Sequence, residues 1–473
     1  MDTIKAIKAA SAALLLGAVL ASSIAAQSSD QDTIVTDEDA LFGESEEDTD
    51  QAETEAAADV DGDESSLVVE LQPTEKEIDA ILLTSPTVEI GGRYSFSATS
   101  NWAWDNAASL FGDFAAPDRN SAGVDLEATL FFDARPDEDI RIFGKVKTAY
   151  PFDDADGTRT FDDVFHVEEL FSDFHWDERI FFRGGKHTLN WGVGYFFSPA
   201  DLLNITEIDP EDPDADREGP VSLKMHMPMG VHNLYLYGIA NDITRFNEFG
   251  AAVKAEFVLG STETEIGALY MKDAAPSAML ALSSPLGDID VFGEAVLRYG
   301  SDRKFIERSA IAPFFTAAKH DDSFFFNATA GFSFIYPFEK YESTLSLAAQ
   351  YLYNGEGYAD SQVLVDHQAA GLPLLFSEDI SLADLMNTGK HYAAANLSWS
   401  NLWGSILSAR FFWMHNFSDM SGIVNPALSM EFFERVRLDF SVPVNYGDPG
   451  AELSPTGNAI SLELAVAMGG GSF

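Results

Sequence analysis

The sequence contains no cysteine. It has no disulfide framework and offers no thiol for a lipid anchor. Lys and Arg are scarce, 28 against 77 Asp and Glu, for a formal net charge of −49. Such a chain repels phosphate, so no nucleic acid is expected as a partner. The nine His are scattered, with no His-x-x-x-His pair, and neither Gly-x-Ser-x-Gly nor a phosphate-cradling glycine pattern occurs. No motif for a zinc hydrolase, an esterase or a nucleotide-dependent enzyme is present, and the chain reads as a non-enzyme. Beyond the leader, no run of about 18 apolar residues exists, so no helix of the mature chain is expected to cross a membrane.

What is present is apolar and aromatic: 46% hydrophobic residues, with 37 Phe, 14 Tyr and 7 Trp. An acidic disordered protein would be poor in aromatics. Part of the charge is local. Residues 1–26 combine Lys5 and Lys8, an apolar run from Ala9 to about Ala21 and small residues at Ser23–Ala26, which is the pattern of a secretory signal peptide. Residues 27–73 form an acidic tail expected to be disordered. Within it Asp59, Asp61, Asp63 and Glu70 have calcium-loop spacing, but Glu64 stands at the sixth position, where an EF-hand needs Gly. Thr74 and Glu77 have capping-box spacing and predict a short periplasmic or plug helix within 74–84.

From residue 86 to 473 the pattern changes to alternation. Val124, Leu126, Ala128, Leu130 and Phe132 share one parity, while Asp125, Glu127 and Thr129 take the other. Val436, Leu438, Phe440, Val442 and Val444 oppose Arg435, Arg437, Asp439 and Ser441 in the same way. Each segment predicts a strand with one apolar and one polar face. Many run to about 10 residues, enough for a tilted strand to cross a bilayer. Eighteen such strands are expected, with sixteen as the rival because the sixth and tenth are short. Tight links (RPDE, WDER, MPMG, LGST, NLWG) alternate with links that are usually longer (100–121, 150–165, 189–219, 301–321, 354–388, 446–458), with 241–248 and 274–275 as shorter exceptions. A soluble sandwich or propeller also alternates but does not sort its loop lengths by odd and even position. The fold class expected is all-β: a transmembrane antiparallel up-and-down barrel in outer-membrane lipid.

If the apolar parity faces lipid, the other faces the lumen. That rule places Arg141, Lys145 and Lys147 of the third strand, Glu169 and Asp173 of the fourth, and Arg179, Arg183 and Lys186 of the fifth on one stretch of inner wall. The long link 189–219 starts beside that wall. It carries an apolar part, WGVGYFFSPADLL, and an acidic part with Asp209, Glu211, Asp212, Asp214 and Asp216 around Arg217. One placement folds it inward as a constriction, carboxylates opposite bases, so that a transverse field selects small polar solutes. The others leave it outside, solvated, or loosely binding calcium. No resident cofactor or metal is expected.

The segment from Phe165 to Lys224 resembles a signature of porin-like bacterial outer-membrane barrels. Gly185-Lys186-His187, Trp191-Gly192, Pro199-Ala200-Asp201, Asn204, Asp209-Pro210 and Arg217-Glu218-Gly219 carry the likeness, with His187 where Gln is usual. The resemblance implies a barrel in the outer membrane and names no substrate. Phe473 likewise resembles the aromatic by which the barrel-assembly machinery recognises a final strand, although GGGSF separates it from the alternating run ending at Met468. The function expected is a channel for passive diffusion. The alternative is a non-conducting surface-binding barrel. The oligomeric state is not set by the sequence.

Overall fold

The computed structural model describes residues 88–473 apart from 114, 138, 151–164, 178, 241–248, 273, 309–314, 359–373, 375–379, 381–383, 385, 433–435 and 473. The expected leader, acidic tail, calcium-like stretch and short helix lie outside the described residues, as does Phe473.

The strands are β1 (Val88–Trp104), β2 (Arg119–Asp137), β3 (Ile140–Tyr150), β4 (Phe165–Trp176), β5 (Ile180–Lys186), β6 (Val221–Met229), β7 (His232–Ala240), β8 (Phe249–Leu259) and β9 (Thr262–Met271). They continue as β10 (Ser277–Leu286), β11 (Ile289–Tyr299), β12 (Phe324–Phe338), β13 (Ser343–Tyr353), β14 (His391–Ser400), β15 (Leu407–Asn416) and β16 (Ser421–Phe432). β17 comes in two pieces, Val436–Ser441 and Val444–Tyr446, and β18 is Ala459–Ser472. Both pieces of β17 lie between β16 and β18; Pro443, which has no N–H to give the ladder, sits at the break. The 19 sheet segments are therefore eighteen strands. Each pairs antiparallel with its chain neighbours, and β1 closes on β18 from Arg93↔Ser472 to Trp104↔Ile460. Closure leaves no edge, so the backbone polar groups of the wall are satisfied without water. The count is eighteen, not sixteen.

Alternation sets the two faces. Ile140, Ile142, Leu170, Phe174, Leu223, Ile266 and Leu297 are exposed on the outside, while Arg141, Asp173, Arg183, Lys224 and Lys254 are buried on the inside. Exposed aromatics gather at both rims: Trp176 and Trp403 (71% and 69% exposed) near the tight turns, Tyr270 and Phe324 (63% and 70%) near the long links. An apolar band between two aromatic girdles suits hydrocarbon bounded by two interfaces.

Three details depart from the sequence pattern. β18 does not stop at Met468 but runs to Ser472. Gly469 (φ 108°) lies at the register shift between Arg93 and Ser95, where a Cβ would sit 2.7 Å from the Tyr94 carbonyl oxygen, so the glycine run continues the strand through a bulge. β15 begins at Leu407 because Asn401 and Trp403 turn in the left-handed region. Among the longer links, one carries a seven-residue helix, Ala107–Asp113, and another a hairpin of Lys304–Arg308 with Phe315–Lys319.

Candidate pore constriction

The basic wall starts from a row in register: Arg141 opposite Asp173, Asp173 opposite Arg183, and Arg183 opposite Lys224. Arg183 grips Asp173 with both prongs of its guanidinium, Nε to Oδ1 at 2.7 Å and Nη2 to Oδ2 at 3.1 Å. Arg141 donates Nε to Asp133 at 3.1 Å and lies 3.7 Å from Asp173. The guanidinium carbon of Arg183 lies 4.2 Å from the Phe171 ring centre, and that of Arg141 lies 5.3 Å from the Phe143 ring centre. These arginines are thus buried, paired within the wall and stacked. Their ion pairs run to the wall carboxylates Asp133 and Asp173.

Lys145 and Lys186 reach the acidic loop. Lys145 Nζ stands 3.0 Å from both Glu168 and Asp216, and Lys186 Nζ stands 2.6 Å from Glu218. Glu169 accepts from the Thr188 amide at 3.4 Å, and Lys147 pairs with Glu127 at 3.2 Å on the neighbouring strand. Parity had sent Glu168 outward with Leu170. A register shift opposite Lys145 and Val146 brings Glu168 and Glu169 to the same side and leaves Val167 exposed. Arg179 is corrected: it occupies the tight turn, 83% exposed, 3.8 Å from Asp177, and is not on the lumen wall.

Residues 187–220 lie across the barrel interior. Leu189 and Trp191 pack on Tyr237, Ala252, Met279 and Val296 of β7, β8, β10 and β11. Phe196 and Phe197 pack on Tyr392, Ala394, Phe412 and Met414 of β14 and β15. Polar latches accompany the apolar ones. The Glu294 carboxylate of β11 accepts from the amides of Val193 (2.5 Å), Gly194 (2.6 Å) and Ala200 (3.0 Å) and from Ser198 Oγ (3.0 Å). Gln350 Oε1 of β13 accepts from the amides of Tyr195, Phe196 and Phe197. Gly192 (φ 82°) permits the turn: a Cβ there would sit 2.5 Å from Glu294 Oε1.

The segment is also stapled to itself. Asn204 exchanges hydrogen bonds with Leu189, donating Nδ2 to its carbonyl at 2.6 Å and accepting its amide at 2.9 Å. The Asp201 carboxylate receives Asn204 and, at 2.5 Å, Arg217. A Cβ on Gly219 would strike the His187 carbonyl. Asp201, Asn204, Arg217 and Gly219 thus fasten the two ends of the loop.

The acidic tip divides between two walls. Asp216 returns to Lys145. Asp209, Glu211 and Asp212 sit toward β15, where Arg410 donates Nη1 to the Glu211 carbonyl at 3.2 Å. Desolvation there pushes the Glu211 carboxyl up to about 7 and Asp212 up to about 6, the charge of Asp209 adding to both and Arg410 opposing. Burial likewise pushes the Tyr195 hydroxyl up to about 12, with Asp214 nearby as the next cause. Both raised carboxyls favour the protonated form when the tip is packed. Their contribution to packing is therefore complete below the ordinary carboxylate range and lost as pH rises through about 6 to 7. Acidification from pH 8 to 5 is expected to remove negative charge from the tip and lower the cation-over-anion permeability ratio, with a midpoint between the two values. Reversal potentials in a KCl gradient measure this, and Glu211→Gln should abolish the upper part of the titration. A ratio flat across that range would place these carboxyls off the ion path.

Sequence parity turned Arg141, Lys145, Arg183 and Lys186 inward, misplaced Arg179, and was not carried to Lys224 and Lys254. Parity also turns Glu294 and Arg410 inward, but nothing local to them shows that they receive a distant loop. Among the described residues, no group of three or more His, Cys, Asp or Glu is arranged to hold a metal ion.

No family model matches the sequence, and no curated protein matches it. Among solved structures, the chain is similar to OccAB1 from Acinetobacter baumannii (TM-score 0.45, 10% identity, covering 80% of this chain and 96% of that one). It is also similar to OpdL from Pseudomonas aeruginosa (0.46, 9%, 81% and 98%) and to a mutant porin from Rh. blastica (0.40, 8%, 81% and 99%).

Proposed function

We propose that this chain is a bacterial outer-membrane channel for passive diffusion of small polar solutes, narrowed by residues 187–220. One observation carries the reading: a closed eighteen-strand wall, apolar outside and charged inside, is crossed internally by a loop latched both to β7, β8, β10 and β11 and to β13, β14 and β15. At this strand number an open barrel holds an aqueous lumen wide enough for solutes. An inward loop converts that width into a filter, because charges opposed across a low-dielectric gap orient a passing polar molecule. The filter charges are Lys145 and Lys186 with Asp216 and Glu218 on one side, and Arg410 with Glu211 and Asp212 on the other. Arg141 and Arg183 set the shape of the wall from behind. Outer-membrane lipid and the barrel-assembly machinery are the partners this reading requires.

The purified chain, folded in detergent and inserted into a planar bilayer, is expected to give discrete ohmic steps and to pass small sugars or amino acids in liposome swelling. A protein that shows the heat-dependent gel shift of a folded barrel yet conducts nothing would be a surface-binding barrel instead.

A further inference from the structure

We propose that the inner wall beneath the loop carries a binding track for neutral, hydroxyl-bearing rings, the pyranose rings of an oligosaccharide. The proposal rests on the channel reading and names its solute class. Five wall rings and one loop ring form an unbroken series. His175 of β4 lies 5.9 Å from Phe181 of β5, and Phe181 lies 6.0 Å from His226 of β6. His226 stacks on Tyr235 of β7 at 4.5 Å and 12°. Tyr235 stacks on Tyr237 at 6.3 Å, and Tyr237 meets Trp191 edge-on at 5.7 Å. The series begins one residue from the tight-turn ends of β4 and β5 and climbs around the wall to the loop. Within the series His226, Tyr237 and Trp191 are buried and form its backing; His175, Phe181 and Tyr235 are only partly covered and are the rings that face the lumen.

Beside the rings runs a polar edge. His226 Nε2 lies 2.9 Å from Asn233 Oδ1, Asn233 Nδ2 donates to Glu256 at 3.2 Å, and the Tyr235 hydroxyl donates to Glu256 at 3.0 Å. An aromatic face flanked by amide and carboxylate groups fits a molecule with an apolar ring face and an equatorial belt of hydroxyls. A purely apolar ring would strip water from Asn233 and Glu256 and return no hydrogen bond. An anion fits no better. Lys224 and Lys254 both lie 5.1 Å from the Tyr235 ring but are only 5% and 3% exposed, and Lys254 is already held by Glu256 at 2.6 Å and lies 3.6 Å from Glu265, so a carboxylate arriving there meets two others.

The test uses the full chain in single-channel recordings, with maltotriose, a polyethylene glycol of the same size, and benzoate as probes. Maltotriose should interrupt the current with residence times roughly tenfold longer than the polymer, one ring contact's worth. Phe181→Leu with Tyr235→Leu should bring the sugar down to the polymer's value in the same channel. Equal residence times for sugar and polymer in a conducting channel overturn the track and leave the channel reading standing. Blocking by benzoate in place of maltotriose overturns the assignment to sugars. Intrinsic fluorescence of the detergent-folded barrel, titrated with maltotriose, decides the track even if no current flows. A saturable change supports it and a flat titration sinks it.

Discussion

Removing both latches, Glu294→Ala with Gln350→Ala, is expected to raise single-channel conductance several-fold and to admit solutes the parent excludes. Glu294 receives three amides and a hydroxyl from residues 193–200, and Gln350 receives three amides from residues 195–197. Those amides lie in a turn that makes no helix or sheet of its own. Without the two side chains these donors lose their acceptors, and each that stays buried, as at Phe196, Phe197 and Ala200, costs about 1–3 kcal/mol. Even half of that total exceeds 1.4 kcal/mol, and each such step is tenfold in the balance between folded-in and released loop. The apolar anchors Trp191, Phe196 and Phe197 oppose release, so Glu294→Ala alone is expected to give a flickering channel rather than a fully widened one. Glu294→Gln should be intermediate, because one of its two oxygens becomes a donor facing donors. Conductance histograms and polymer exclusion check all three. A double variant that still shows the heat-dependent shift of a folded barrel, with unchanged conductance and exclusion, would mean that residues 187–220 do not set the narrowest point.

The strand framework was legible because its cause is local. A strand between lipid and water must alternate, and segments such as Gly123–Phe132 and Val436–Val444 write that alternation directly. The order of tight and long links followed for the same reason. Where a register shift intervened, parity failed: Glu168 joined Glu169 on the inner side, and Gly469 carried β18 on to Ser472. The loop was half legible. Its aromatic residues argued against a purely solvated segment, but its polar latches Glu294, Gln350 and Arg410 are on strands roughly one hundred to two hundred residues away, and Glu294 or Arg410 looks like any other inward polar residue. The bases were assigned to the wall by parity, yet their roles separated only in three dimensions. The inward placement of the loop set Arg141 and Arg183 opposite the acidic run, but Asp133 and Asp173, nearer on adjacent strands, reach them first.

That separation leads to the second large effect. Asp173→Asn is expected to destabilise the barrel by about 3–5 kcal/mol, because it removes the carboxylate that two buried guanidinium groups share. Asp173, Arg141 and Arg183 are 2–8% exposed, so water cannot replace the lost partner. Arg183 would lose both charge-assisted bonds to this carboxylate, and Arg141 would fall back on Asp133. The contrasting variant is Asp216→Asn. Asp216 also pairs with a wall base, Lys145 at 3.0 Å, but its side chain is 70% exposed and Glu168 holds the same lysine. An exposed pair contributes about 0–1 kcal/mol, so this variant should leave stability nearly unchanged while altering ion selectivity. The two substitutions make the same chemical change, one on the wall and one on the loop that meets it, and should give opposite readouts: Asp173→Asn in the temperature of the gel-mobility shift, Asp216→Asn in the reversal potential. An unchanged shift temperature for Asp173→Asn would mean that water reaches the arginine row. Arg141 and Arg183 would then belong to the ion path itself and not to the structure behind it.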